Sequence, residues 1–309
     1  MIEVRGLTKT YGTERAVDNI SFEVKKGEVL GFLGPNGAGK STTMKIITCF
    51  LPPTEGSVLV DNLNVSEESV GVRRRIGYLP ESTPLYQDMT TYEYLTFVGS
   101  MRGVSSTDLP RRIAHMSAVC GIGSVLGKRI EALSKGYRQR VGLAQAMIHD
   151  PEIVILDEPT SGLDPNQIVE IRELIKGIGT EKTVILSTHI LSEVQASCDR
   201  VLIINKGKLV ADGTPEALKA NFSGAQHIKL GLQEAPENAA SVLESVDHFR
   251  VTGQELLNGG ETVFTVSTDT QEDMRPTLFK LAVEKGWTLT ELHRDQVNLE
   301  DVFRQLTGN

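Results

Sequence analysis

The spacing of apolar residues divides the chain into parts with different periodicity. Residues 2–29 alternate apolar and polar positions, and turn signals at Gly12 and Gly27 predict short antiparallel strands. From Val29 onward, a helical pattern follows each of three short apolar runs, VLGFL, IVILD and TVILSTH. Such alternation of strand and helix is typical of a parallel, doubly wound α/β sheet.

The first two of these runs are about 120 residues apart, far more than one crossover between strands needs. We therefore predict an inserted, mostly helical subdomain at about residues 83–150. One of its helices is marked by the sequence TTYEYLTFVGSM, in which Thr90 and Glu93 form a capping box. The predicted apolar face of this helix follows the i, i+3, i+4, i+7 spacing, with Tyr94, Phe97, Val98 and Met101.

The last part of the chain changes pattern again. Its predicted elements are strands at 226–232, 248–257, 261–268 and 288–294, and helices at 237–245, 272–285 and 298–307. The residues NGG supply the turn between the middle strands, and Asn298 is expected to cap the last helix. The order βαββαβ plus one helix predicts a small ferredoxin-like α+β domain. We therefore expect two domains, 1–224 and 225–309.

Composition places the chain in the ordinary soluble class, with 39% hydrophobic and 23% charged residues. No apolar stretch approaches the ~20 residues of a membrane span, and the N-terminus lacks the pattern of a secretion signal. We therefore expect a chain that does not cross a membrane and stays in the cytosol. Three cysteines, Cys49, Cys120 and Cys198, are scattered, which argues against a zinc site and against a disulfide framework.

The net charge of −8 is unevenly distributed. Residues 225–309 contain 7 basic and 14 acidic residues, so they carry nearly all of the excess. Neither part of the chain has the basic excess of a nucleic-acid-binding protein, and we expect no nucleic-acid partner.

A glycine-rich loop is the first candidate functional site. The sequence GPNGAGKST matches the pattern G-x-x-x-x-G-K-[ST], and it lies between a predicted strand and a predicted helix, as that motif requires. Its backbone N–H groups and the helix dipole face an anion, Lys40 reaches the β- and γ-phosphates, and Ser41 offers a hydroxyl to Mg²⁺. The loop predicts a nucleotide site at Gly34, Pro35, Asn36, Gly37, Ala38, Gly39, Lys40, Ser41 and Thr42.

Two other predicted strands end in residues suited to the same chemistry. IVILD ends at Asp157, followed by Glu158, and TVILSTH ends in His189. Because the carboxyl ends of parallel strands share one edge, these side chains should meet the glycine-rich loop. Asp157 would hold Mg²⁺ through water, Glu158 would act as general base, and His189 would contact the γ-phosphate and the attacking water.

Tyr11 is a further candidate, because it follows a strand and precedes Gly12. Its ring could stack on an adenine, which is worth ~1–3 kcal/mol. The alternative is that Tyr11 only packs against neighbouring residues.

The sequence LSKGYRQR, from Leu133, resembles the signature motif of ABC (ATP-binding cassette) ATPases. The usual form is LSGGQ followed by basic and polar residues, so Lys135 and Tyr137 are departures. The other motifs of that family occur in order: Tyr11 as A-loop, 34–42 as Walker A, IVILDE as Walker B, SGLD at 161–164 as D-loop and His189 as H-loop. The resemblance covers about residues 1–220. It implies a P-loop NTPase fold with antiparallel β and helical subdomains, and ATP as the nucleotide.

The resemblance also implies that two cassettes face each other head to tail. In such a dimer Ser134 and the backbone around Gly136 bind the γ-phosphate of the partner's ATP, and the resemblance adds Asp164 of the D-loop to the nucleotide-binding residues. One chain has one copy of each half-site, so a homodimer or pseudo-dimer on a two-fold axis is expected. ATP then holds the dimer together, and hydrolysis releases it.

One departure from the family lies at Glu81, where glutamine is usual. A carboxylate can still bind Mg²⁺, directly or through water, but it cannot donate a hydrogen bond. The stretch GYLPESTPLYQDMT looks like the ABC-2-type transporter ATPases, a subgroup that includes gliding-motility, drug-resistance and antibiotic-export proteins. Glutamate here and a small C-terminal domain are both common in that subgroup. Neutral variation within the subfamily is the alternative explanation for Glu81.

The resemblance implies an ATP-hydrolysing subunit of an ABC-2-type exporter, peripheral at the cytoplasmic face of the cell membrane. Its partners would be integral membrane permease subunits on separate chains, docked near residues 84–94. The alternative is a soluble ABC ATPase in a cytosolic assembly, such as a translation factor, a DNA-repair ATPase or an iron–sulfur assembly scaffold. The second cassette of translation factors and the long coiled-coil insertion of repair ATPases do not occur in this sequence.

Overall fold

The computed structural model describes residues 1–222, 226–257, 259–268, 270, 272–295 and 299–308. The chain forms two compact units, Met1–Pro215 with Gln305–Asn309, and Glu216–Arg304. The boundary predicted between residues 224 and 225 lies outside the described residues. The predicted helix cap Asn298, and Asn258 of the NGG turn, also lie outside them.

An antiparallel sheet begins the first unit. Its strands, in the order β2-β1-β4-β5, are β1 (Ile2–Tyr11), β2 (Glu14–Val24), β4 (Glu55–Val60) and β5 (Leu63–Asn64). The first two strands are those predicted from the alternation in residues 2–29. Apolar positions of this alternation, such as Ile2, Val4 and Leu7, are buried. The sheet therefore packs one face inward and carries Tyr11 at the end of β1.

A second sheet of six strands, in the order β10-β9-β3-β8-β7-β6, forms the centre of this unit. Its strands are β3 (Val29–Leu33), β6 (Ile76–Leu79), β7 (Ile153–Asp157), β8 (Thr183–Thr188), β9 (Arg200–Asn205) and β10 (Lys208–Gly213). All pairs are parallel except β9 with β10. Every residue of β3, β7 and β8 is buried, as expected for strands covered on both faces. The predicted parallel α/β sheet is confirmed.

Seven α-helices, α1 to α7, are described in this part of the fold, beside two short 3-10 helices, Gly123–Val125 and Ile130–Ala132. Four connect strands: α1 (Lys40–Ile47), α2 (Ser69–Arg75), α6 (Pro165–Gly179) and α7 (Leu191–Ser197). Three lie within the predicted helical subdomain: α3 (Thr91–Met101), α4 (Leu109–Cys120) and α5 (Lys135–Met147). Among the described residues, no helix combines the length and the apolar character needed to span a bilayer.

The start of α3 is as predicted, but its buried face is only partly so. Thr90 and Glu93 form the capping box. Phe97 and Met101 are exposed, however, and the fully buried positions next to Tyr94 are Leu95 and Gly99. A Cβ atom at position 99 would lie 2.4 Å from a methyl group of Leu109 in α4. Tyr94 and Val98 of the predicted face do pack in the core, whereas Phe97 and Met101 do not, because the missing side chain of Gly99 lets the two helices approach there.

The second unit has its own sheet and core. Its elements include β11 (Gln226–Gln233), α9 (Ala239–Glu244), β12 (Phe249–Leu256), β13 (Glu261–Thr268), α10 (Arg275–Glu284) and β14 (Thr288–Asp295); α8 (Pro215–Phe222) precedes them, and α11 (Leu299–Thr307) follows. The strand order is β12-β13-β11-β14, with every neighbouring pair antiparallel. Because β13 lies between β11 and β12, those two strands run in the same direction, which is the split βαβ arrangement. Its core includes Leu230, Phe264 and Leu278.

Candidate active site

The glycine-rich loop connects β3 to α1 and is closely packed against neighbouring backbone. Gly39 has φ 107°, and a Cβ atom there would lie 2.4 Å from the carbonyl oxygen of Ala16. Only glycine fits at this position without a shift of the backbone. Within the described part of the chain, no side chain caps the N-terminus of α1. The first N–H groups of that helix are therefore available for an anion.

A cavity of about 470 Å³, the phosphate cavity, lies over this glycine-rich loop, which is the phosphate loop of the proposed site. Its lining consists of Glu14, Ala16, Asn36, Gly37, Ala38, Gly39, Lys40, Ser41, Thr42, Glu81, Glu158, Ser161 and His189. The fold thus brings the loop together with the residues predicted from two other strand ends, because β3, β7 and β8 are neighbours that end at the same edge. Glu81, which follows β6, lines the same cavity.

Lys40 is held by the loop and by the acidic residue opposite. Its Nζ atom donates hydrogen bonds to the carbonyl oxygens of Gly34, at 2.7 Å, and Pro35, at 3.2 Å. The same atom lies 3.2 Å from Oε1 of Glu158, and both side chains are more than 90% buried. A buried carboxylate is tolerated when it is paired and hydrogen-bonded, so this ion pair keeps both charges at the cavity wall.

Hydrogen bonds hold both the backbone and the side chain of Glu158 in place. Its backbone is in the left-handed region, with φ 50°, and its N–H donates to the carbonyl oxygen of Ser187 at 3.1 Å. Its Oε2 atom lies 2.8 Å from Nδ1 of His189. The His189 side chain is 45% exposed, so the ring can meet a ligand in the cavity while it contacts Glu158. Lys40, Glu158 and His189 therefore form one group, joined by an ion pair and a hydrogen bond.

Asp157 lies beside the first turn of α1 and is buried. Its Oδ1 atom accepts hydrogen bonds from the hydroxyl groups of Ser41, at 3.1 Å, and Ser187, at 2.5 Å. Oxygen atoms of a hydroxyl and a carboxylate at this spacing are the ligand type that Mg²⁺ prefers, so these residues fit the ion. Burial raises the pKa of the nearby Tyr78 phenol, and the negative charges of Asp157 and Glu81 raise it further.

Gly34 and Pro35, at the start of the glycine-rich loop, are not among the lining residues, and four predicted nucleotide-binding residues outside the loop do not line the cavity either. Tyr11 is exposed, with the ammonium group of Lys9 5.4 Å from its ring centre. Ser134 caps α5 by accepting a hydrogen bond from the backbone N–H of Tyr137 at 3.4 Å. Asp164 caps α6 in the same way. Gly136 is buried, and a Cβ atom there would meet the side chain of Gln167. Roles in nucleotide binding for these four residues stay predictions.

A second cavity, of about 430 Å³, lies beside the signature helix α5. Its lining includes Glu81, Lys135, Gln139 and Ser161. Thr83 donates a hydrogen bond to Gln139 at 3.2 Å. The segment that carries Glu81 is therefore tied directly to the helix that carries the signature motif.

The sequence analysis missed several residues of the site: Glu14, Ala16 and Ser161 line the cavity, and others support it from behind. Ser187 binds both Asp157 and the backbone of Glu158, whereas Thr160 and Thr188 both donate to the buried carboxylate of Glu193. The sequence does contain a signal for Ser187 and Thr188. The otherwise apolar run TVILST ends in these two hydroxyl side chains, and both are completely buried. Buried hydroxyl groups require partners, and those partners lie at the site.

Comparison with known proteins gives consistent matches. The family profile described as "ABC transporter" matches residues 17–161, and one described as "AAA domain, putative AbiEii toxin, Type IV TA system" matches residues 129–194. The linearmycin resistance ATP-binding protein LnrL of Bacillus subtilis is 34% identical over 100% of this chain and 98% of its own length. The bacitracin transport ATP-binding protein BcrA of Bacillus licheniformis is 33% identical over 100% of this chain and 97% of its own length.

Solved structures of ATP-binding cassettes match about 70% of this chain. The ATP-binding cassette MJ0796, solved as a dimer in a post-hydrolysis state with ADP and Pi, has a TM-score of 0.64 and 27% identity over 69% of this chain and 98% of that one. An ATP-binding subunit of an ABC transporter has a TM-score of 0.66 and 30% identity over 72% of this chain and 93% of that one. The resemblance inferred from the sequence motifs is confirmed, and the chain belongs to the ABC transporter ATP-binding proteins, a family of cassettes that bind and hydrolyse ATP.

Proposed function

We propose that this protein is the ATP-binding and ATP-hydrolysing subunit of an ABC-2-type membrane exporter. The observation that supports ATP hydrolysis is that Lys40, Glu158 and His189 form one group in the cavity above the phosphate loop. The transport part is supported by relatives named for linearmycin resistance, bacitracin transport and Nod factor export. A soluble, non-transport ABC ATPase has no such support among these relatives.

The hydrolysis step is assigned to Glu158. The phosphates of ATP lie on the loop N–H groups and Lys40, where they replace the contacts that Lys40 makes with the loop carbonyls. The oxygen of a water forms a bond to the γ-phosphorus, and the bond from that phosphorus to the β,γ-bridging oxygen breaks. The proton of the water passes to the Glu158 carboxylate, which His189 orients through the 2.8 Å contact. His189 also contacts the γ-phosphate and the water.

Mg²⁺ fits beside this group. Ser41 and Asp157 are the residues that would hold it, with Glu81 at the cavity wall as a further oxygen ligand. When bound, the ion neutralises part of the phosphate charge. Glu81 takes the place of the usual glutamine in this arrangement.

The complete site requires a second chain. The Ser134 hydroxyl accepts one hydrogen bond within its own helix, and its O–H donates to no other described residue, so it is available for contact with a partner's γ-phosphate. The N-terminus of α5, with Gly136, adds a second helix dipole to the phosphate. Ser134 and Gly136 lie outside the lining of the phosphate cavity of their own chain, which supports a shared site in a homodimer or pseudo-dimer.

The permease partner is proposed to dock on an aromatic surface in the helical subdomain. Tyr86, Tyr92 and Phe97 are all exposed, and the rings of Tyr86 and Phe97 lie 5.5 Å apart. Exposed clusters of large apolar side chains are typical of protein interfaces. The aromatic surface lies within and just after residues 84–94. The protein would then be held at the cytoplasmic face of the membrane by this contact.

We expect the tagged protein, extracted from membranes with mild detergent, to copurify with an integral membrane protein encoded as a separate chain. The double variant Tyr86→Ser, Phe97→Ser should lose that partner and keep its ATP affinity, because it alters the aromatic surface alone. Val210→Ser, which changes an exposed apolar residue of β10, is the matched control and should retain the partner. Retention of the partner by the double variant would place the docking surface elsewhere, and absence of any membrane partner would contradict the transporter assignment.

We also infer that residues 225–309 form an accessory domain that supports the dimer and adds no chemistry. Its sheet and helices enclose their own apolar core, and none of the described residues of this part lines the phosphate cavity. Its excess of acidic residues would keep it off an anionic membrane surface. A chain truncated after Gly224 should bind ATP normally, dimerise less readily and lose part of its ATPase activity. Loss of ATP binding in a truncated chain that is still folded would show that the domain contributes to the nucleotide site.

A further inference from the structure

We infer that Glu193 is a positioning residue, which holds the strand ends carrying Glu158 and His189 at the spacing that hydrolysis needs. The inference rests on the roles proposed above for those two residues. Glu193 lies in the first turn of α7 and is completely buried. It does not line the phosphate cavity, so it would act only through the residues that do.

The carboxylate of Glu193 connects two segments of the site. One oxygen accepts a hydrogen bond from the hydroxyl of Thr160, which lies two residues after Glu158. The other accepts one from the hydroxyl of Thr188, which directly precedes His189, at 2.7 Å. One side chain therefore links the loop after β7 to the end of β8.

The energetic cost of this arrangement suggests that the link has a purpose beyond packing. Burying a carboxylate is expensive unless it is paired, and the described residues include no cationic side chain in an ion pair with Glu193. Its partners are two neutral hydroxyl groups. An apolar residue of similar volume would fill the same space at lower cost, but it could not join two separate segments by hydrogen bonds.

The segments that Glu193 joins are those that set the geometry of the base. Glu158 has a left-handed backbone, and its carbonyl oxygen accepts a hydrogen bond from the N–H of Ser161 at 3.0 Å, which closes a tight turn around Thr160. The hydroxyl of Thr188 also accepts from the N–H of Ile190 at 3.0 Å, so the backbone on both sides of His189 is tied to it. Release of either hydroxyl would loosen the 2.8 Å contact between Glu158 and His189.

Loss of this positioning should appear in kcat and not in ATP binding. A misplacement of about 1 Å at reacting groups can cost ~10²-fold in rate, whereas the loop N–H groups and Lys40 do not depend on Glu193. We therefore expect Thr160→Val and Glu193→Leu to lower kcat by roughly ten- to a hundredfold, with KM and the equilibrium Kd for ATP within about twofold. Thr160→Ser keeps the hydroxyl and should restore most of the rate.

The test measures kcat, KM, the Kd for ATP and the melting temperature for these variants in the full chain. Thr180→Val, at the exposed end of α6, is the matched control for the change from threonine to valine and should behave as the unmodified protein. Thr188→Val removes the second hydrogen bond to Glu193 and should also lower kcat. This variant keeps the test decisive if Thr160→Val fails to fold. A fall in kcat that Thr160→Ser does not restore, or one matched by equal losses of ATP affinity and melting temperature, would overturn the positioning role.

Glu158→Gln, measured beside these variants, separates this inference from the proposed function. If Glu158→Gln keeps full activity, the assignment of the general base is wrong. If Glu158→Gln is inactive while Glu193→Leu, Thr160→Val and Thr188→Val keep the normal kcat, only the positioning role of Glu193 is wrong.

Discussion

Glu158→Gln is expected to lower kcat for ATP hydrolysis by at least about a hundredfold, the scale of a lost general base. The amide has nearly the shape of the carboxylate but cannot take a proton from water. ATP binding should persist, because the loop N–H groups and Lys40 are unchanged. Removal of the negative charge 3.2 Å from Lys40 also leaves that cation free for phosphate. Steady-state ATPase assays and equilibrium binding of ATP measure the two effects separately.

Glu152→Gln provides the control for this substitution. Glu152 is an exposed carboxylate just before β7, paired with Lys26 at the surface, and its loss should change neither kcat nor ATP affinity. A Glu158→Gln variant with more than about a tenth of the normal kcat would contradict the assignment of Glu158 as the base. Equal loss of ATP binding and of activity would instead indicate a role in binding.

The second large effect is expected from Ser134→Arg. The bulky cation should block contact with a partner's nucleotide and abolish hydrolysis, while one chain alone still binds ATP with nearly normal affinity. Lys40→Ala should abolish hydrolysis by weakening phosphate binding in its own chain. Each variant by itself is therefore expected to be inactive, for different reasons.

Mixing the two inactive variants should restore activity if the sites are shared. A mixed dimer combines the intact loop of the Ser134→Arg chain with the intact signature of the Lys40→Ala chain, and it places both defects in the other site. Equal amounts that pair at random give roughly a quarter of the normal number of sites. Recovered ATPase activity measures this directly, and a mixture that stays inactive would contradict the assignment of Ser134 to the partner's nucleotide.

Sequence periodicity was sufficient for the parts of the site that lie on fully buried strands. The runs that became β3, β7 and β8 are apolar throughout, and parallel topology then requires their carboxyl ends to meet. The sequence alone therefore predicts that Lys40 and Glu158 lie close together. The same reasoning did not identify β4, β5 and β6, which have only two to six residues each and lack a clear pattern.

Side-chain networks were harder to predict, because their members come from distant positions. Glu193 has the appearance of a surface residue in a short helix, and only the fold shows its contacts with Thr160 and Thr188. The buried face of α3 was predicted only in part, because Gly99 packs against Leu109, a contact that helical periodicity cannot include. The roles of Ser134 and Gly136 depend on a partner chain, so neither the periodicity of one chain nor its fold could establish them.

The central claim is that ATP is held between two chains and hydrolysed there by Glu158. Sedimentation velocity of the Glu158→Gln variant, with ADP or with ATP and Mg²⁺, tests it most directly. The account predicts a stable dimer with ATP that dissociates with ADP, and loss of the ATP-driven dimer when Ser134→Arg is added. A Glu158→Gln chain that binds ATP yet stays monomeric at high concentration would contradict it, as would an ATP-driven dimer that Ser134→Arg leaves intact.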